Sequence, residues 1–403
     1  MVLRKVVTRR VVLGMLAAGA GASAIGPLGR VAGVAAAGGP QYVYIGTYTP
    51  PSGKAEGIYV YRMDPATGAL TKVQTVPTPS PSFLALDPSR RWLYAVNELD
   101  NYGGRPSGAV SAFAINPAGG TLAPLNTQPS YGTYPAHLTV DPSGQYVLAA
   151  NYGGGNVAVY PIQRDGSLGV ATDLVQNTGA GPNAARQEAA HAHMITFDPA
   201  GKYAALVDLG IDKVLIYQLN TSSGKLVPHD VATQLGAMAP SYAGAAPGAG
   251  PRHIAFAASG RYAYVINELA STIAVYAYDA NNGTLRELQT ISTLPAGFGG
   301  QSTTAEIAIH PNGRFLYGSN RGDDSIAIFA VDPASGLLSP VGRQATQGKT
   351  PRNFAIDPSG AFLYAANQAS DTIVAFGIDG ASGRLTPTGQ VTQVPTPVCI
   401  AFA

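Results

Sequence analysis

The sequence predicts an all-β fold, a seven-bladed β-propeller whose ring is closed by pairing of the C-terminal strand with the N-terminal strands. Three observations support this prediction: a strand–turn–strand unit recurs along the chain, its internal spacing is constant, and one copy is divided between the two ends. Internal repeats of this length are typical of solenoids and propellers, so they indicate the architecture before any local pattern does.

Six copies of the unit are complete. In each copy ten positions separate the turn residue from a terminal Asn or Asp, as from Asp87 to Asn97 and from Asp357 to Asn367. The copies occupy 83–97, 137–151, 194–208, 253–267, 306–320 and 353–367. A constant spacing indicates that the same strand pair is built each time.

The seventh copy is split between the ends of the chain. Residues 396–403 read as a first strand without a second, and residues 41–48 read as a second strand without a first. Joining them closes a ring and leaves no exposed sheet edge at the seam. Residues 41–403 are therefore predicted to form a single propeller domain.

Two further strands follow in every unit. The third strand alternates apolar residues, as in 156–162 and 325–331, and the fourth opens with Gly-x-Leu in all seven units. Alternation with a period of two, interrupted by turn signals, is typical of antiparallel sheets. Four such strands repeated radially make a propeller blade.

Composition excludes several classes of protein. The 403 residues carry a net charge of +2 with 12% charged residues and no basic run, which argues against binding of nucleic acid. The single cysteine, Cys399, excludes an intramolecular disulfide, and no CxxC metal motif occurs. We expect no cofactor and no metal, and a monomer.

Residues 1–37 are predicted to be an export signal rather than part of the fold. Arg9 and Arg10 precede an apolar stretch too short for a transmembrane helix, and this arrangement resembles a twin-arginine signal. Small residues at 35–37 offer a cleavage site. We expect an exported, extracytoplasmic or secreted protein with no stable membrane insertion after signal removal; the alternatives are an uncleaved anchor and a misassigned start of the sequence.

One face of the predicted ring carries the long connections, at 99–108, 177–190, 233–251 and 294–304. Loops on a rigid framework commonly hold functional residues. Two positions of each unit should converge at this face, namely the residue five before the turn and the residue one after the terminal Asn or Asp. We name them the entry position and the exit position.

The entry and exit positions of the fourth to sixth units hold chemically reactive side chains. His193 and Arg252 are at entry positions, and Glu268 and Arg321 are at exit positions. These four are the predicted catalytic residues, because two arginines suit a carboxylate or phosphate. The predicted substrate-binding residues lie beside them or in equivalent places: His137, His191, His253, Glu98 and Glu306.

Less specific interpretations of the same residues remain open. His191 and His193 alternate on one strand and could be metal ligands, although no third ligand is evident. Arg252 and Glu268 could instead form a structural ion pair between two strands. The repeated Asn and Asp residues at the strand ends and turns are predicted to be structural.

Four segments, 150–160, 190–210, 250–276 and 319–329, resemble the lactonase family of seven-bladed propellers, which includes bacterial 6-phosphogluconolactonases and fungal carboxy-muconate cyclases. The similarity runs over essentially all of 41–403. It implies an active site at the mouth of the channel with one His, one Glu and two Arg, matched here by His193, Glu268, Arg252 and Arg321.

The resemblance implies a lactone hydrolase similar to 6-phosphogluconolactonase, opening a sugar-type or carboxylated lactone by metal-independent acid–base hydrolysis. Glu268 or His193 would be the base and the other the acid. The expected partner is a small lactone or an anionic sugar, and export favours a lactone other than phosphogluconolactone. Two alternatives are an exported, non-catalytic propeller that binds a carbohydrate, peptide or cell-wall ligand, and a metal-dependent lactonase.

Overall fold

The computed structural model describes residues 41–50, 53–229 and 242–403. These residues form seven antiparallel sheets of four consecutive strands, numbered here as blades 1 to 7 from the blade that contains the C-terminal strand. The predicted export signal, 1–37, and residues 233–241 of a predicted long loop lie outside the described residues. The prediction of an all-β, seven-bladed propeller is confirmed.

Each blade begins at the channel with a short strand. From blade 1 to blade 7 these first strands are Pro397–Phe402, Phe83–Leu86, Pro135–Val140, Ala192–Phe197, Pro251–Phe256, Thr303–Ile309 and Pro351–Ile356. The second strands are Gln41–Thr47, Trp92–Asn97, Tyr146–Asn151, Ala204–Asp208, Tyr262–Asn267, Phe315–Arg321 and Phe362–Asn367.

The outer half of each blade completes the sheet. The third strands are Gly57–Met63, Ala109–Ile115, Asn156–Pro161, Lys213–Asn220, Thr272–Asp279, Ser325–Val331 and Thr372–Ile378. The fourth are Leu70–Pro77, Leu122–Pro129, Asp173–Gln176, Lys225–Pro228, Thr284–Ser292, Leu338–Ala345 and Leu385–Gln393. Tyr242–Gly244 adds to the third strand of blade 4, and Asn101–Tyr102 pairs with Arg105–Pro106. A 3-10 turn spans Gln368–Ser370, and no helix of the described ranges is long and apolar enough to span a bilayer.

The ring closes through blade 1, as predicted. Gln41–Thr47 pairs antiparallel with Pro397–Phe402, with Tyr44 opposite Ala401. The edge of the N-terminal strand is thereby satisfied by the C-terminal strand, which removes an edge that would otherwise invite association.

The hydrophobic core lies between neighbouring blades. Tyr364 of blade 7 packs in one cluster with Val43 and Tyr59 of blade 1. Five tyrosines of second strands also donate their phenolic hydroxyl to the Gly carbonyl of the next blade's Gly-x-Leu, at 2.8–3.0 Å. They are Tyr44, Tyr94, Tyr264, Tyr317 and Tyr364. These side-chain bonds connect neighbouring blades, which are separate sheets whose described strands do not pair with each other through backbone hydrogen bonds.

A β-bulge near the start of the first strand recurs at the functional face. The strand register shifts across the entry position in blades 3, 4, 5 and 7, leaving Ala136, His193, Arg252 and Arg352 outside the ladder. A bulge bends a strand and re-aims a side chain. Entry residues and their successors can therefore both reach the channel, as the 3.1 Å contact between Arg252 NH1 and His253 Nε2 illustrates.

Candidate active site

A cavity of about 270 Å³ opens at the mouth of the channel. It is lined by Glu98, Ala136, Tyr152, Arg186, His193, Glu268, Thr303, Arg321 and Arg352. Three of these are entry residues and four are exit residues, so the repeat itself builds most of the wall. The four predicted catalytic residues meet here: His193, Glu268 and Arg321 line the cavity, and Arg252 lies directly behind Glu268.

Glu268 is the centre of an ion-pair cluster. Its Oε2 accepts from Arg252 Nε at 3.1 Å and Arg321 NH2 at 2.9 Å, and its Oε1 accepts from Arg186 NH2 at 2.6 Å. Burial alone would raise the pKa of Glu268, but the guanidiniums of Arg321, Arg252 and Arg186 outweigh it and lower the pKa to about 2. The carboxylate is ionised and engaged on both oxygens, which makes it a poor base.

Arg252 connects this cluster to a polar chain beneath the cavity. Arg252 NH1 donates to the Ala305 carbonyl at 2.7 Å and also faces His253 Nε2. His253 Nδ1 lies 2.9 Å from Glu306 Oε1, and Asn353 Nδ2 donates to Glu306 Oε2 at 2.6 Å. Because a guanidinium only donates, His253 accepts at Nε2 and carries its proton on Nδ1.

His193 is the imidazole in the wall of the cavity. The residue is buried and its Nδ1 has no hydrogen-bond partner among the described residues. Burial, together with the positive charge of Arg252, lowers the pKa of His193 well below its usual range. The ring is therefore neutral at physiological pH. It meets Tyr152 and His253 edge-on, at centroid distances of 5.6 and 5.2 Å.

The opposite wall of the cavity has a different arrangement. Tyr48 donates its hydroxyl to both carboxylate oxygens of Glu98, at 2.9 Å each. The Arg352 guanidinium lies over the Tyr48 ring, 5.3 Å from its centroid. Within the described ranges the Arg352 side chain makes no hydrogen bond or ion pair, so its donors remain available to a ligand.

The predicted substrate-binding residues divide into three groups. Glu98 lines the cavity, whereas His253 and Glu306 line a much smaller pocket of about 10 Å³ beneath it. His137 is buried against Phe83, at 4.0 Å between ring centroids, and lines neither space. His191 stacks behind Tyr152 at 4.4 Å. His137 and His191 thus support the wall from behind, and a direct substrate contact by either residue stays a prediction.

Several cavity residues were not singled out from the sequence. Arg352 occupies an entry position and Tyr152 an exit position, so the spacing that identified Arg252 and Glu268 also contained them. Tyr48, which bonds to Glu98, follows Thr47 in the equivalent place of blade 1. Arg186 lies on the long connection between blades 3 and 4, where no repeat spacing applies. It reaches the cavity because its neighbour Gln187 is fully buried and bonded to Leu209 and Asp212.

The donor groups do not favour the metal-ligand interpretation. His191 Nδ1 lies 2.9 Å from the Tyr152 carbonyl and its Nε2 lies 3.2 Å from Glu188, so both nitrogens are occupied. Across residues 41–50, 53–229 and 242–403, no group of three or more His, Cys, Asp or Glu side chains is arranged to hold a metal ion.

Comparison with known proteins agrees with the fold and the repeat. Residues 42–402 match the family model described as "Lactonase, 7-bladed beta-propeller". The chain is 39% identical over 312 residues to the 6-phosphogluconolactonase of Bacillus subtilis (strain 168), covering 77% of this chain and 83% of that protein. It is 34% identical over 315 residues to the 6-phosphogluconolactonase of Serratia proteamaculans (strain 568), covering 78% and 84%.

Among solved structures, the periplasmic gluconolactonase PpgL of Pseudomonas aeruginosa superposes with a TM-score of 0.83. The two chains are 35% identical, and the match covers 91% of this chain and 99% of that one. Sequence, topology and the arrangement of blades therefore agree, and the chain belongs to the lactonase family of seven-bladed β-propellers.

Proposed function

We propose that this protein hydrolyses a lactone, of sugar type, that carries an anionic group. The observation that carries the proposal is one cavity whose wall combines a neutral imidazole with three guanidiniums. His193, Arg186, Arg321 and Arg352 line it, and the Arg352 side chain makes no hydrogen bond or ion pair within the described residues. The names of the relatives and of the gluconolactonase neighbour support the same reaction class.

Opening a lactone requires an attacking water, stabilisation of an oxyanion, and a proton for the ring oxygen. Guanidinium groups supply the second requirement, since they donate to an oxyanion and keep their charge throughout. The neutral ring of His193 can bind the water. Glu268 contributes by holding the arginines in place. Its lowered pKa makes it unsuited to accept a proton.

The charge around the cavity favours an anionic substrate. Three guanidiniums, those of Arg186, Arg321 and Arg352, line the cavity with two carboxylates, Glu98 and Glu268. A carboxylate or phosphate on the substrate would balance the excess and could be bound by two N–H donors of one guanidinium. Arg352 is the best placed residue for this role, because no ion pair with a described residue has to be broken first.

We also propose that the protein is exported through a twin-arginine-type signal in residues 1–37, is not held in the membrane afterwards, and works as a monomer. The support is the Arg9-Arg10 pair before an apolar stretch, and a structural neighbour named as periplasmic. Cell fractionation with N-terminal sequencing of the mature protein tests export. Light scattering on a sizing column tests the oligomeric state.

The activity is tested by acid release in a pH-stat with a panel of γ- and δ-lactones, each offered as a neutral compound and as its carboxylated or phosphorylated counterpart. We expect turnover of an anionic lactone well above the spontaneous rate. Arg352→Met should lower kcat/KM for that substrate by about 10- to 100-fold, since a hydrogen bond to a charged group contributes about 1.5–3 kcal/mol.

The matched control is Arg62→Gln, an exposed arginine on the third strand of blade 1, remote from the cavity wall. It should leave turnover unchanged. Equal losses for neutral and anionic lactones in Arg352→Met would contradict the assignment of the anionic group to Arg352. No acid release with any lactone would contradict the hydrolase itself and favour the non-catalytic, ligand-binding alternative.

A further inference from the structure

We infer that Glu98 is the general base of this site and that Tyr48 positions it. The inference rests on the proposed hydrolysis of a lactone and assigns its proton-transfer step. It reverses the expectation from the sequence, in which Glu268 or His193 was the base and Glu98 only bound substrate.

The two carboxylates that line the cavity differ in what holds them. Both oxygens of Glu268 are occupied by guanidiniums, at 2.6, 2.9 and 3.1 Å. Glu98 accepts one hydroxyl, shared between its oxygens, and forms no ion pair with any residue that the structure describes. A carboxylate has about four lone-pair sites, so Glu98 keeps acceptor capacity for a water while Glu268 is engaged.

Tyr48 is suited to orient the Glu98 carboxylate. Burial raises the pKa of Tyr48 above its usual range, so the phenol keeps its proton and donates it. Both residues are fixed through their backbones as well, since Glu98 N donates to the Ser80 carbonyl at 2.9 Å and Tyr48 N donates to the Thr396 carbonyl at 3.3 Å. The carboxylate is thus oriented by the adjacent blade and still open towards the cavity.

His193 is a weaker candidate for the base. Its ring is enclosed by burial and by the positive charges of Arg252, Arg352 and Arg321, all of which oppose a second proton. An imidazolium formed there would face three guanidiniums. Glu98 stands beside Tyr48 at the opposite wall, where taking up a proton removes a negative charge rather than adding a positive one. The neutral imidazole remains able to hydrogen-bond the water that Glu98 activates.

The proposed reaction balances with water as the only co-substrate. Glu98 takes one proton from water as the water oxygen bonds to the lactone carbonyl carbon, and the carbonyl π electrons move onto oxygen, where a guanidinium stabilises the charge. The oxyanion then re-forms the carbonyl, and the bond from that carbon to the ring oxygen breaks. The protonated Glu98 returns its proton to the ring oxygen. The hydroxy acid product ionises and releases the proton that the pH-stat measures.

The test compares Glu98→Gln with the intact chain on a lactone that the intact chain turns over. Gln keeps the size and can still accept the Tyr48 hydroxyl, but it is not a base. We expect kcat to fall at least 100-fold, in the range typical of general acid–base catalysis, with KM within about threefold. Glu287→Gln, an exposed carboxylate on the fourth strand of blade 5, is the matched control and should keep full activity.

Two further variants separate a catalytic role from a structural one. Glu98→Ala should regain part of its turnover with added formate, because a free carboxylate can enter the vacated space. Tyr48→Phe should lower kcat with KM nearly unchanged, since the Glu98 carboxylate loses the hydroxyl that orients it while the substrate contacts remain.

The outcomes are distinct. A raised KM with unchanged kcat in Glu98→Gln would overturn the inference and leave Glu98 as a binding residue, with the hydrolase intact. Unchanged kinetics, or loss of folding in both Glu98 variants with no formate rescue, would also overturn it. Absence of turnover in the intact chain would overturn the proposed function and this inference together.

Discussion

At the scale of single residues, the site depends on burying charges that neutralise one another. A buried carboxylate without partners is costly, and Glu268 is nearly inaccessible to solvent, yet three guanidiniums contact it. Each of these arginines would in turn be poorly placed without the carboxylate. The sequence could suggest that Arg252, Glu268 and Arg321 are neighbours, but it could not reveal that they satisfy one another rather than a ligand.

The buried histidines make the stability of the protein dependent on pH. Burial lowers the pKa of His137 well below its usual range, and the positive charges of His253, when protonated, and Arg252 act in the same direction. Between the folded and unfolded pKa values the unfolded chain binds more protons, so stability falls as pH falls below about 6.5. Each such histidine contributes about 1.4 kcal/mol per pH unit in that window.

His137→Asn tests this dependence, because Asn353 already occupies the equivalent place in blade 7. Between pH 7.5 and pH 5.0 the free energy of unfolding should fall in the intact chain. We expect the fall in the variant to be about 2 kcal/mol smaller. Denaturant titrations at the two pH values measure it. At pH 7.5 the histidine is neutral in both states, so the difference there reports packing alone. Equal decreases in the free energy of unfolding in both proteins would contradict the assignment of this pH dependence to His137.

The cavity residues show how far sequence reasoning reaches at this scale. Entry and exit positions were identified from spacing, and these supply seven of the nine lining residues. Arg352 and Tyr152 occupy the same repeat positions in blades 7 and 3, outside the arc of blades 4 to 6 that holds the predicted catalytic residues. Arg186 could not be found in this way, since its approach to Glu268 depends on how a loop outside the repeat is anchored through Gln187.

At the scale of strands, the bulge decides which side chains reach the channel. A proline stands one residue before the entry position in blades 3, 5 and 7, at Pro135, Pro251 and Pro351, and in blade 1 at Pro397. Proline lacks an N–H and is tolerated at the first residue of a strand or at a bulge. The repeated proline is therefore a sequence signal for the irregular strand start.

The Gly-x-Leu repeat also has a role that the sequence did not reveal. The Gly carbonyl receives the tyrosine hydroxyl of the preceding blade, as Gly383 does from Tyr317 at 2.8 Å. Gly383 has a φ of 72°, and a Cβ there would collide with the ring of Phe315. The glycine thus permits both the turn and the close approach of the neighbouring blade.

Tyr317→Phe removes one of these bonds without altering the packing of the ring. The Gly383 carbonyl is left unsatisfied in a buried place, so we expect the free energy of unfolding to fall by about 1–2 kcal/mol. Tyr61→Phe is the control, because Tyr61 is also buried but its hydroxyl bonds to none of the described residues. The free energy of unfolding of Tyr61→Phe, measured by denaturant titration, should equal that of the intact chain. Equal effects of the two substitutions would show that the bond between blades contributes nothing.

At the scale of the whole molecule, ring closure links the fold to the site. The split repeat predicted the closure, and the structure adds where it acts. Tyr48 follows the strand Gln41–Thr47, and its carbonyl accepts the hydroxyl of Thr396 at 2.6 Å, just before the C-terminal strand. The same seam therefore satisfies the last sheet edge and fixes the residue that holds Glu98.

Deletion of residues 395–403 tests this seam. It removes the buried side chains of Val398 and Ile400, each worth roughly 1.5–3 kcal/mol, together with buried Cys399, and leaves the edge of Gln41–Thr47 unpaired. The sum is comparable with the total stability of an ordinary domain, about 5–15 kcal/mol. We expect loss of the cooperative melt and association through the open edge, measured by calorimetry and light scattering.

A synthetic peptide of residues 395–403, added in trans, should restore closure, because the strand pairs through its own backbone with Gln41–Thr47 and contacts blade 7 through packing and the bond from Ile400 N to Asn353 Oδ1, none of which requires a covalent link. The melting temperature should rise with peptide concentration, as mass action requires for a ligand that binds the folded state alone. A scrambled peptide of the same composition should have no effect, since it cannot place its apolar side chains between blades. If the truncated chain melts like the intact one without peptide, closure by the C-terminal strand is not what holds the ring together, and the positioning of Tyr48 must come from blade 2 alone.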